Sequence, residues 1–131
     1  MKHTNCPFCN PDDNEVVLKN DLCYARFDKY PVSVGHVLVI PFRHFSDYFE
    51  ATIEEKVAMV RLIDEVKKFL DRKFKPDGYN VGVNVGKSAG QTVMHVHVHV
   101  IPRYKGDIED PTGGVRGVIP SRKKYGNASI E

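Results

Sequence analysis

No apolar run in this chain of 131 residues approaches the length of a membrane span, and the opening MKHTNCPFCN lacks the apolar segment of a secretory signal. Charge of one sign is also scarce. A formal net charge of +2 is too small to argue for nucleic-acid binding. Cysteine is limited to Cys6, Cys9 and Cys23, an odd number with one close pair. That pattern suits a reducing compartment and a metal site better than a secreted disulfide framework, so the cytoplasm is the expected location. Internal repeats and low-complexity tracts are missing as well. What is there, 41% hydrophobic and 27% charged residues, is ordinary for a soluble globular protein, and the length suits one domain with a core that needs no disulfides.

The pattern along the chain predicts an α+β domain. Val16–Leu18 and Leu22–Phe27 read as short strands joined by a turn at Asn20-Asp21, and HVLVIPF, from His36, as a central strand ended by Pro41. RHFSDYFEA reads as an irregular stretch or a single helical turn. The clearest helix is capped by Thr52, with Glu55 completing a T-x-x-E capping box and Glu54 beside it at the positive end of the dipole. Met59, Ile63, Val66, Leu70 and Phe74 form one apolar stripe for core packing, and Pro76-Asp77-Gly78 stops the helix. YNVGVNVG alternates as a strand, KSAGQ is a small-residue loop, and MHVHVHVIPR, Met94 to Arg103, is a further strand. The expected architecture is an antiparallel sheet of about five strands with one long helix and a shorter helical segment. It forms a single domain over 1–131, with its core at about 6–103 and an irregular tail at 104–131 that is ordered against a partner subunit.

MHVHVHVIPR holds half of the six histidines, at every second position. Residues two apart on a strand share a face, so His95, His97 and His99 point one way and Met94, Val96, Val98 and Val100 the other. An exposed polar face would explain one histidine, but not three in register. Two chemical readings stand: three imidazoles on a zinc ion with an open position for water, or one imidazole acting as nucleophile or base with its neighbours in support. The preceding GKSAGQT favours the second, because a glycine-containing loop can present N–H groups to phosphate oxygens and adds the side chains of Gln91 and Thr92. Cys6-x-x-Cys9 reads as a zinc half-site, a redox pair or coincidence. A zinc site needs two further ligands, and the candidates are His3, His44 and His95. Cys23, within a strand, reads as a small buried apolar residue.

GQTVMHVHVHVIPR, together with GHVLVIPFRH and VGVNVG, resembles the histidine triad (HIT) superfamily, whose motif alternates three histidines with apolar residues and runs here from His95 to Ile101. The GQTV and HVHVHV wording is close to the fragile-histidine-triad hydrolases of dinucleoside polyphosphates, and the N-terminus with CPFC is closer to bacterial histidine triad proteins. The resemblance covers about Cys6 to Arg103. It implies a two-step transfer in which the middle histidine, His97, attacks the α-phosphorus of a nucleotide and water resolves the nucleotidyl-histidine. His99 would then hydrogen-bond the phosphate, and His36 would support the charge network. Gln91 and Thr92 would contact the phosphate and the bridging or leaving group, with Gly90 in the same loop. Asn84 would lie on the phosphate or ribose side, Asp28 on the ribose hydroxyls and Phe27 near the base. Several bacterial relatives and the galactose-1-phosphate uridylyltransferases use a structural zinc, which maps here to Cys6, Cys9, His44 and His95. The resemblance also implies a homodimer. Diadenosine polyphosphate hydrolysis is the preferred reaction and nucleoside phosphoramidate hydrolysis the close alternative. A nucleotide-binding module without turnover, supported by the basic tail with Arg116, Arg122, Lys123 and Lys124, stands as a different class.

Overall fold

The structure, a computed structural model, describes residues 5–126, so His3 lies outside the described residues. Five strands form one antiparallel sheet: β1 (Leu18–Lys19), β2 (Cys23–Phe27), β3 (Val37–Pro41), β4 (Gly78–Val83) and β5 (Val98–Arg103), in the order β1-β2-β3-β5-β4. One long helix, α1 (Ile53–Phe74), connects β3 to β4, preceded by a short 3-10 turn at Tyr48–Glu50.

Local chemistry explains the helix ends. The Thr52 side chain accepts from the Glu55 amide at 3.0 Å, and the Glu55 carboxylate accepts from the Thr52 amide at 2.8 Å, closing the predicted capping box. Arg43 clamps the same carboxylate. At the far end Lys75 takes the left-handed conformation, φ 52°, and donates its amide to Asp71 before Pro76 ends the helix. The buried apolar stripe is Met59, Leu62, Val66 and Leu70. Ile63 and Phe74, expected in that stripe, are only partly buried, because the helix turns Leu62 most directly onto the sheet.

Strand alternation divides the sheet into two covered faces. Cys23, Ala25, Val37, Val39, Val98 and Val100 pack under α1 with Val96 and Phe45. Tyr24, Leu38 and Ile40 point the other way and pack with Phe8 from the N-terminal knuckle. This double burial is why β3 is apolar at every position. The regular part of β5 begins only at Val98. His95 lies in a bend and His97 in irregular chain ahead of the strand, a departure from the continuous strand expected over the motif. The reason is local: the Val96 amide bonds the Phe45 carbonyl, outside the sheet, at 2.8 Å.

Past Arg103 the tail folds onto itself through 3-10 turns at Gly114–Val118 and Pro120–Arg122. The Arg116 guanidinium donates to the Lys123 and Arg122 carbonyls and stacks on Tyr125, while Lys124 pairs with Asp110. These cations close the tail. No helix among the described residues is long and apolar enough to cross a membrane.

Candidate active site and metal centre

The displacement of His95 from the strand decides its environment. Its side chain is fully buried, and its Nε2–H donates to the Pro41 carbonyl at 2.7 Å. That bond assigns the neutral tautomer and leaves Nδ1 as a lone pair. Around this lone pair lie Cys6 Sγ at 3.3 Å, Cys9 Sγ at 3.6 Å and His44 Nδ1 at 3.2 Å, with Cys9 Sγ and His44 Nδ1 3.1 Å apart. All four donor atoms lie within 4.8 Å of one another. Tetrahedral zinc would set nitrogens about 3.3 Å apart and sulfur and nitrogen about 3.6 Å apart. Two thiols and two imidazole nitrogens gathered at these spacings therefore suit one such ion, and the Pro41 carbonyl gives His95 the orienting contact that metal-binding imidazoles ordinarily have.

His97 is held differently. Its Nδ1–H donates to the backbone carbonyl of His95 at 2.8 Å, so in the neutral ring the lone pair is on Nε2. The ring lines a cavity of ≈ 340 Å³, within the size range of small-molecule sites.

The third member starts a chain of assigned tautomers. The Val32 amide donates to His36 Nδ1 at 3.1 Å, so the proton of His36 is on Nε2. His36 Nε2 lies 2.9 Å from His99 Nδ1 and 3.5 Å from Asp28 Oδ2, and its proton goes to the nearer atom. His99 Nδ1 is then an acceptor, and His99 Nε2–H is the donor left over. Burial lowers the pKa of both rings. His99 is pushed down to about 4, the neighbouring His97 and His36 adding to the effect of burial and Asp28 opposing it. The pair is neutral near pH 7. Asp28, His36 and His99 are also close enough to suggest a metal group. A metal on His36 Nε2 would move the ring proton to Nδ1, where it would meet the Val32 N–H, so the hydrogen bonds favour the relay.

The loop that delivers His36 is fixed at several points. The Asp28 amide bonds the His36 carbonyl, Ser33 Oγ donates to the Pro102 carbonyl, and the Tyr104 hydroxyl donates to the Val34 carbonyl. Gly35, at φ 90°, lies so close to α1 that a Cβ would sit 2.8 Å from the Phe74 ring.

Of the residues assigned to substrate from the sequence, Asp28, Asn84, Gly90 and Thr92 line the cavity with His97 and His99. Two do not. Phe27 points to the helix side of β2, its ring against Phe69 and Phe74, because alternation sends Arg26 and not Phe27 to the cavity face. Gln91 is buried and does not line the cavity. Its Oε1 accepts from the Gly86 amide, and its Nε2 donates to the Ser46 and Val93 carbonyls. Gln91 thus braces the loop. The amides of Ala89, Gly90 and Gln91 bond carbonyls within the same loop, so they do not form the expected phosphate cradle.

Sequence reasoning missed Phe8, Arg26, Tyr30 and Leu38, all of which line the cavity. Two signals were available. Phe8 lies inside Cys6-x-x-Cys9 and must follow those thiols to His95, and Leu38 shares the face of His99, opposite it in the β3–β5 register.

Comparison with known proteins agrees with this geometry. The HIT domain model matches residues 10–106. The AP-4-A phosphorylase of Mycobacterium tuberculosis is 35% identical over 89% of this chain, a region that spans 61% of that protein. A zinc-bound histidine triad family protein from Mycobacterium smegmatis superposes with a TM-score of 0.70 at 31% identity, covering 79% of this chain and 78% of that one. The Plasmodium falciparum diadenosine triphosphate hydrolase, solved with cyclomarin A, superposes with a TM-score of 0.71 at 30% identity, covering 76% and 68%. With the motif, the sheet order and the family match in agreement, the chain belongs to the HIT domain family.

Proposed function

We propose that this protein is a nucleotidyl hydrolase or transferase acting at the α-phosphate of a purine nucleotide, with dinucleoside polyphosphates as the preferred substrates. The observation that carries this reading is the bond from His97 Nδ1–H to the His95 carbonyl, which leaves a nucleophilic lone pair on a ring lining the cavity. In the first step His97 Nε2 forms a bond to the α-phosphorus, and the bond from phosphorus to the leaving-group oxygen breaks with its electron pair. In the second, water forms a bond to phosphorus and releases a proton to solvent, and the bond from phosphorus to Nε2 breaks with its electron pair returned to His97. His99 Nε2–H, presented by His36, donates to a phosphate oxygen whose charge grows in the transition state. Thr92 and Asn84 border the phosphates, and Asp28 receives the ribose. Gln91 and Gly90 shape the loop, and Phe27 supports the strand from behind. The named activities of the Mycobacterium tuberculosis and Plasmodium relatives support the substrate class.

Cys6, Cys9, His44 and His95 would hold a structural zinc. A site closed by four protein ligands leaves no position for an activated water, so the ion's contribution is to stability. A homodimer is part of the same proposal. β4 forms one edge of the sheet with Val81 exposed, a suitable surface for a second copy.

The test is turnover of a diadenosine polyphosphate and of an adenosine phosphoramidate by one preparation, with its zinc content and molecular mass in solution measured alongside. Faster cleavage of the diadenosine compound and a trapped nucleotidyl-His97 are expected. Faster cleavage of the phosphoramidate would change the substrate assignment, and tight binding without turnover would reduce the protein to a binding module.

A further inference from the structure

Phe8 is flanked on both sides by features of the metal cluster, yet its ring belongs to the other site. Its backbone N–H donates to Cys6 Sγ at 3.4 Å, and Cys9 follows it directly. Its ring, only 8% exposed, packs with Tyr24, Leu38 and Ile40 and lines the cavity. It meets the His97 ring edge-on, with centroids 5.1 Å apart, and the His95 ring at 6.0 Å. Two neighbours hold the knuckle around it: the Tyr24 hydroxyl donates to the Phe8 carbonyl at 2.7 Å, and Arg26 donates to the Pro7 carbonyl.

We propose that Phe8 is a positioning residue that couples the Cys6–Cys9–His44–His95 site to the nucleotide cavity, so that metal and nucleotide bind with positive cooperativity. This rests on the nucleotide reading above. Two routes join the sites. One runs through His95, whose Nδ1 faces the thiols while its carbonyl fixes the His97 Nδ1 proton. The other runs through the knuckle, where Cys6 and Cys9 set the place of Phe8, and Phe8 sets both the cavity wall and the edge of the His97 ring. With the donors drawn together on an ion, the wall is preformed. With the ion removed, the knuckle rests on its hydrogen bonds to Tyr24 and Arg26 and on the packing of Phe8, and the nucleotide must order it further as it binds. Linkage makes the effect reciprocal: bound nucleotide raises the affinity for the metal by the same factor by which the metal raises the affinity for nucleotide.

Reciprocity provides a test on the folded, loaded protein. Zinc-loaded protein is equilibrated against a chromophoric chelator with and without saturating AMP, a monophosphate that offers no leaving group. AMP is expected to tighten zinc retention about ten-fold in the wild type. In Phe8→Ala, zinc content stays at one ion per chain, AMP binds about ten-fold more weakly, and the effect of AMP on zinc retention shrinks to less than about two-fold. Phe8→Leu, which keeps apolar bulk, restores part of the coupling and guards against a folding defect. Nitrogen NMR of His97 gives an independent readout, with the Nδ1–H tautomer blurred in Phe8→Ala. AMP that binds the loaded wild type without changing zinc retention would overturn the coupling and leave the nucleotide reading in place. Failure of AMP to bind loaded protein at all would overturn both. Coupling that persists undiminished in Phe8→Ala would remove Phe8 from the pathway.

Discussion

His95 and His99 end the same motif four residues apart, yet their surroundings are opposites. At His95, Nε2–H is fixed on a carbonyl and Nδ1 meets two thiols and a second imidazole, a set of donors gathered within 4.8 Å of one another. At His99, donors and acceptors alternate along a line: the Val32 amide to His36, and His36 to His99. Convergent donors suit a metal ion, and serial donors suit a proton-orienting relay. Proximity alone would have labelled both clusters as metal groups. The hydrogen-bond partners on the far nitrogens of His95 and His36 separate them.

The largest effect should come from His97, between the two. His97→Ala is expected to lower turnover at least about 10³-fold while AMP binding changes only a few-fold, measured by steady-state kinetics and calorimetry. A mild kinetic effect would mean the nucleophile lies elsewhere. Disabling the convergent end should act on stability. Cys9→Ser is expected to lose zinc and about 3–5 kcal/mol, lowering Tm by roughly 10–20 °C, as read by metal analysis and calorimetry. Disabling the serial end should do the reverse: His36→Leu should cut kcat about 10–100-fold with zinc content unchanged, because His99 loses the donor that fixes its tautomer. Zinc loss in His36→Leu would erase the distinction between the two clusters.

A smaller effect concerns pH. His99 ordinarily titrates near 6.5 and is held to about 4 in the fold. Between those values the unfolded chain binds more protons than the native one, so this contribution to stability is complete above pH 6.5 and is lost as pH falls towards 4. The drop in Tm over that window should be shallower in His99→Asn. The smallest effect is a control distant from both clusters. Thr52→Ala, which removes the cap of α1, is expected to cost about 1 kcal/mol and leave turnover unchanged.

Much of the site was legible because short-range rules govern it. The capping box at Thr52 and Glu55, the strand β3 and the histidine periodicity are set by neighbours within a few residues. The four candidate ligands Cys6, Cys9, His44 and His95 were named by resemblance, and their donor atoms come together here. Other assignments depended on which way a side chain turns. Phe27 and Arg26 are adjacent, and only their register on β2 sends Arg26 to the cavity and Phe27 to the helix. Gln91 looked like a phosphate contact, but the loop around it needed an acceptor for Gly86 and a donor for two carbonyls. Ile63 gave way to Leu62 because a stripe read from spacing alone leaves its centre undefined by about one residue.

By itself the sequence determined the long helix with its cap, the central strand β3 and the chemical types of residue that would meet, since capping, periodicity and residue chemistry act over a few positions. Only the tertiary structure decided which partner each histidine meets. Which nitrogen of a ring carries the proton depends on its partner, and for two of the three that partner is distant in sequence: Pro41 for His95 and His36 for His99, whereas His97 bonds the nearby His95 carbonyl only because the chain bends there.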